Sequence, residues 1–79
     1  MSLDPLAPEP LYIQLANLIE ARIRSGELAP RRPIPSETTL RQEFGVARGT
    51  VRQAVALLRE RGLVVTVHAK GTFVAGDLS

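Results

Sequence analysis

The chain has 79 residues, 44% of them hydrophobic, with ten basic side chains against eight acidic ones, one histidine and no cysteine. That length allows one small domain, disulfides and thiolate zinc sites are excluded, and His68 alone leaves little for any other transition-metal site. No apolar run approaches the roughly 20 residues of a membrane span, and residues 1–9 lack a signal-peptide pattern, so a single cytoplasmic domain without cofactors is expected.

Residues 1–9 hold Pro5 and Pro8 among small and acidic side chains, and are expected to form an extended arm. A domain is expected over 10–75, with a short tail over 76–79. From Pro10, suited to a first helical turn where its missing N–H is no loss, the pattern turns helical. Tyr12, Ala16, Ile19 and Ile23 recur at helical spacing as far as Ser25, and Gly26 follows where a C-terminal cap belongs.

Residues 27–35 contain three prolines, which predicts a loop or short edge strand. Ser36 is the expected N-cap of a second helix over Glu37–Phe44, which buries Leu40 and Phe44 and stops at Gly45. A third helix is predicted from Arg48 to Arg61, with Val51, Ala54, Val55 and Leu58 facing inward and Gly62 closing it. Two helices joined by a short glycine-containing turn form a helix-turn-helix. The β-branched run Leu63–Val67 and the segment Thr72–Val74, joined by a polar tip, predict a hairpin. Two strands alone are marginal in water, so Val65, Val67 and Phe73 are expected to bury against the helices. The predicted fold class is mainly α: three helices and a wing.

The net charge of +2 divides unevenly. Residues 1–30 carry −2, and residues 31–79 carry +4, an asymmetry that points to a polyanionic partner. Arg48, Gly49, Arg52, Gln53, Ala56 and Arg59 lie on the third helix away from its apolar stripe. In a helix-turn-helix the start of the second helix reaches base edges in the major groove. Arg matches guanine O6 and N7 there, and Gln matches adenine N6 and N7; the other reading of Arg48 and Arg52 is as solvated arginines paired with Glu37, Glu43 or Glu60. Gly49 and Ala56 would admit a close approach.

Several segments, in this order and spacing, resemble the GntR family. They are Pro10-Leu11-Tyr12-x-Gln14, Ser25-Gly26-Glu27-Leu28, Ile34-Pro35-Ser36-Glu37, Phe44-Gly45-Val46-x-Arg48-x-Thr50-Val51-Arg52-x-Ala54, Leu57-Leu58-x-x-x-Gly62-Leu63-Val64 and Gly71-Thr72-Phe73-Val74. The resemblance covers residues 10–74. It implies an N-terminal winged helix-turn-helix that binds double-stranded operator DNA, usually as a homodimer on a palindrome. It also implies repression of transcription, relieved when a small-molecule effector binds a separate C-terminal domain. The opening motif resembles the branch whose effector domain is chorismate-lyase-like.

By the same resemblance, Arg48 and Arg52 match recognition-helix arginines that contact phosphate and guanine, and Thr50 matches a backbone contact. Ser36 and Glu37 match the start of the second helix, where N–H groups and a hydroxyl face phosphate. Lys70, Gly71 and Thr72, with His68 beside them, match the wing at the minor groove. Gly49 and Gln53 complete the expected DNA-binding set. The chain departs from the family pattern at Thr38 (usually Arg), Ala47 (usually Ser or Thr), Arg31-Arg32 (usually Pro-Gly) and Ala69 (usually Gly). No nucleophile elbow, phosphate loop or metal set suggests an enzyme. The alternative is a winged-helix module that docks on another regulator, which predicts exposed apolar residues mixed among the cations.

Overall fold

The computed structural model describes residues 3–76, so both extreme ends of the expected arm and tail lie outside the described residues. Helix α1 (Leu11–Arg24) starts after Pro10, and its apolar face buries Leu15, Ala16, Ile19 and Ile23. Helix α2 (Glu37–Phe44) begins at Ser36, whose Oγ accepts from the Thr39 N–H at 3.1 Å. Helix α3 (Arg48–Glu60) buries Val51, Ala54 and Leu58. Its N-cap, Ala47, supplies no side-chain hydrogen bond, as the missing hydroxyl implies. At the far end, Gly62 takes φ +76°. The Leu63 N–H donates to the Leu58 carbonyl at 3.0 Å and the Gly62 N–H to Arg59 at 3.0 Å. That pairing turns the chain back onto the core and satisfies carbonyls that a helix end leaves open.

The hairpin consists of β1 (Val64–Val67) and β2 (Gly71–Val74), antiparallel, with Val64 opposite Val74 and Thr66 opposite Thr72. The proline-rich loop adds to the outer edge of β2. Pro33 bridges Phe73, and the Ile34 N–H donates to the Thr72 carbonyl at 3.0 Å. One core results, centred on Leu15, Ile19, Leu40, Val51, Leu58, Leu63, Val64 and Val74. Each fully buried aliphatic side chain contributes on the order of 1.5–3 kcal/mol relative to exposure.

Two expectations need correction. The hairpin faces the helices with its other side: Val64 and Val74 are buried, whereas Val65 and Val67 are 49% and 40% exposed and Phe73 is half-buried. Successive strand residues point to opposite faces, so a shift of one position exchanges the whole set. The described part of the arm is folded back rather than extended. The Ala7 N–H donates to the Asp4 carbonyl at 3.2 Å, and Gln14 clamps the segment through the Asp4 N–H and the Asp4 and Glu9 carbonyls at 2.7–2.9 Å. Arg31, in the Arg31-Arg32 pair that departs from the family pattern, holds the left-handed φ of +67° that glycine adopts most easily.

Candidate nucleic-acid interface

Helix α2 and the start of α3 present their ends on the side of the molecule that also carries the wing. Between them lies a groove of about 670 Å³, lined by Ser36, Glu37, Arg52, Lys70, Gly71 and Thr72 among the expected residues, and by Arg59. Six of the eleven expected residues therefore meet at one groove. Arg48, Gly49, Thr50 and Gln53 lie outside its lining, along the first two turns of α3. Arg48, Gly49 and Gln53 are exposed and Thr50 is half-buried. His68 is exposed in the wing turn, where the Lys70 N–H donates to the Val67 carbonyl at 3.0 Å. Ala69 takes φ +64° in that turn, the conformation required at the third position of a type II turn.

Ser36 serves as a cap in this structure, with its hydroxyl also donating to Thr39 Oγ1 at 2.9 Å. Glu37 turns toward α3, and Arg52 Nε donates to Glu37 Oε1 at 2.9 Å. This contact engages Nε, and the two terminal guanidinium nitrogens, the pair suited to two parallel hydrogen bonds, take no part in it. Gly49 is neither left-handed nor crowded, since a Cβ placed there would meet nothing within 4 Å. No packing inside the domain requires glycine at that position.

Sequence reading placed Arg59 on the polar face of α3 without giving it a role. In the structure its Nη1 donates to Thr66 Oγ1 at 2.7 Å, and Thr66 Oγ1 lies 3.1 Å from Thr72 Oγ1. The seven-residue step from Arg52 to Arg59, two helical turns, was the available signal that both arginines share one face.

Charge is sorted across the molecule. Among the described residues, every ion pair other than Arg52–Glu37 involves α1: Arg22 with Glu27 and Glu43, Glu20 with Arg24 and Arg61. The hydrogen bond from Arg22 holds the Glu43 carboxyl below its ordinary range, and the Arg22 guanidinium sits 5.3 Å from the Phe44 ring centroid. Glu20 and Glu27, two of the four acids of residues 1–30, are thus engaged in ion pairs that involve α1. Arg48, Arg59 and Lys70 make no ion pair among the described residues. Among those residues, no helix is long and apolar enough to cross a membrane.

Three helices, a two-stranded wing and a cationic face spanning α3 and the wing tip define a winged helix-turn-helix DNA-binding domain. The model of the bacterial regulatory proteins of the gntR family matches residues 11–74, and the chain belongs to that family. It is similar to the HTH-type transcriptional repressor NagR of Bacillus subtilis (strain 168), 39% identical over 75 residues, 95% of this chain and 31% of NagR. It is also similar to the mannosyl-D-glycerate transport/metabolism system repressor MngR of Escherichia coli (strain K12), 44% identical over 66 residues, 84% of this chain and 28% of that protein. Among solved structures, the AraR DNA-binding domain in complex with operator ORX1 superposes with a TM-score of 0.83 at 38% identity, covering 95% of this chain and 99% of that one. The chain therefore spans about a third of the length of the curated relatives it matches.

Proposed function

We propose that this domain is the DNA-reading head of a transcriptional repressor, and that its partner is double-stranded operator DNA. The observation that carries the reading is the meeting of Arg52, Arg59 and Lys70 at one groove, with Arg48 one helical turn before Arg52 on α3. In this reading α3 enters the major groove. Arg52 and Gln53 read base edges, and Arg48, Thr50 and the start of α2 at Ser36 contact phosphates. The wing from His68 to Thr72 lies at the minor groove. Gly49 allows the helix backbone to approach.

The same reading extends to the assembly. AraR binds its operator as a DNA-binding domain alone, and NagR and MngR are repressors; by analogy the present domain acts in the bacterial cytoplasm, at the nucleoid, as a homodimer on a palindrome. A small-molecule effector would act through a further domain of the kind that the length of these relatives accommodates. In this reading the DNA-binding unit spans 10–75, with residues 1–9 as an arm whose described part is held to α1 by Gln14, and 76–79 as the tail. The competing docking module would need apolar residues among the cations. Pro33 and Val55 do line the groove beside Arg52, Arg59 and Lys70, whereas the exposed Val65 and Val67 lie, by strand alternation, on the side of the hairpin opposite Thr66, which Arg59 holds.

Selection from a random duplex pool, followed by titration of the recovered sequence at several salt concentrations, tests the proposal. A palindromic consensus bound with steeply salt-dependent affinity is expected. No duplex binding at low salt would refute it.

A further inference from the structure

We propose that Arg59 is a positioning residue that fixes the wing against the recognition helix, so that DNA contact by the wing tip depends on the Arg59–Thr66 hydrogen bond. The inference rests on the DNA-reading proposal above, and it adds a residue that the sequence motifs leave without a task.

The hairpin is not anchored evenly. Its base is held by burial of Val64, Val74 and Ala75 and by the Ala75 N–H donating to the Leu63 carbonyl at 2.9 Å. The outer edge of β2 is tied to the proline-rich loop as far as Thr72. Among the described residues, strand β1 has no such neighbour: its sheet partner is β2 alone, and beyond Val64 all of its residues are exposed. Among the described residues, the hydrogen bond that joins this outer part of β1 to a helix comes from Arg59.

The link continues across the sheet. Thr66 and Thr72 are direct partners in the register, and their hydroxyls lie 3.1 Å apart. Arg59 is thereby coupled to both strands one step before the turn that carries Lys70. The face of the hairpin toward the helices is apolar at its base, through Val64 and Val74, and polar toward its tip, through Thr66 and Thr72. A hydrocarbon contact cannot satisfy that polar part, whereas a guanidinium with several fixed donors can. Arg59 also lines the groove that Arg52 and Lys70 share, so this one side chain spans the gap between the two DNA-facing elements.

The competing role is a direct phosphate contact by Arg59, and Thr66→Val separates the two. The change keeps the β-branched shape and every cation, and removes the acceptor. Titration of a mixed-sequence duplex at low salt is expected to show binding weakened about two- to fivefold, the size of a partly exposed charge-assisted hydrogen bond. Lys70→Ala is expected to add less to Thr66→Val than it removes from the parent, as coupled sites do. Backbone amide relaxation of residues 68–71 in the free domain should show greater mobility in Thr66→Val. Parent-like binding by Thr66→Val, or unchanged relaxation of the wing tip, overturns the assignment. If the parent binds no duplex, the DNA-reading proposal fails, and the relaxation result alone decides the positioning role.

Discussion

Glu37 offers a sharp test because its charge and its contact predict opposite effects on binding. A carboxylate at a DNA-facing groove repels phosphate, so its removal should strengthen binding to any sequence. Its hydrogen bond to Arg52 Nε at 2.9 Å, however, holds the guanidinium in one orientation, so its removal should weaken discrimination. The side chains are 61% exposed for Arg52 and 34% for Glu37, which places the pair among surface ion pairs worth about 0.2–1 kcal/mol. For Glu37→Gln, the ratio of affinities for a selected site and its scrambled counterpart should therefore fall by about 1.5- to 5-fold. Affinity for the scrambled duplex itself should stay level or rise. Glu37 is also the first residue of α2, where an acid interacts favourably with the helix dipole by about 0.3–1 kcal/mol. A fall in melting temperature of roughly 1–8 °C is then expected. Fluorescence anisotropy titrations on both duplexes, at a temperature where circular dichroism shows both proteins native, measure the ratio. An unchanged ratio, or equal weakening on both duplexes, would refute the positioning argument.

Other expectations follow from single residues. Ala69 holds a left-handed conformation in the wing turn, so Ala69→Gly should raise unfolding stability by about 0.5–1 kcal/mol in urea titrations. An unchanged midpoint would show that the turn carries no strain. Gly49 has open space where a Cβ would go, so Gly49→Ala should melt no lower than the parent yet bind the selected duplex several-fold more weakly; parent-like binding would mean that α3 does not approach DNA at that turn. Glu43 is held below its ordinary range by Arg22. A depressed carboxyl contributes stability that is present above the unfolded value, about 4.3, and is lost as pH falls through the folded one. Glu43→Gln should remove that part of the acid sensitivity while costing no more than about 1 kcal/mol near neutral pH, as followed by urea midpoints between pH 3 and 7.

The helices were legible because their boundaries are chemical. Ser36 caps α2 as its hydroxyl suggested, and Gly62 turns the chain at the end of α3 as only an unhindered residue does readily. The wing was legible as a hairpin but not in its facing. Val64, Val65 and Val67 are alike in shape, and the single polar residue between them, Thr66, lies on the inner face because Arg59 reaches it. A polar residue satisfied across seven positions of sequence looks like an outer one until the partner is seen. The folded-back arm was hidden for a related reason, since Gln14 holds Asp4 and Glu9 from within a helix.

The candidate site divides in the same way. The residue types on α3 pointed to base reading, and periodicity placed Arg48, Arg52 and Arg59 on its polar side. Contacts between elements depend on the angle between α2 and α3 and on the strand register, neither of which is written in local sequence. For that reason the sequence leaves open whether Arg52 pairs with Glu37, Glu43 or Glu60, and the hold of Arg59 on Thr66 is not legible in it at all.

Arg52 is the side chain on which sequence reading by α3 most depends. Measuring the affinity of Arg52→Ala for the selected duplex and for its scrambled counterpart tests it directly. A loss of about 1–3 kcal/mol on the selected site, about 5- to 150-fold, with a much smaller loss on the scrambled one, is the predicted result. Discrimination equal to that of the parent would contradict the claim that this helix reads sequence through Arg52.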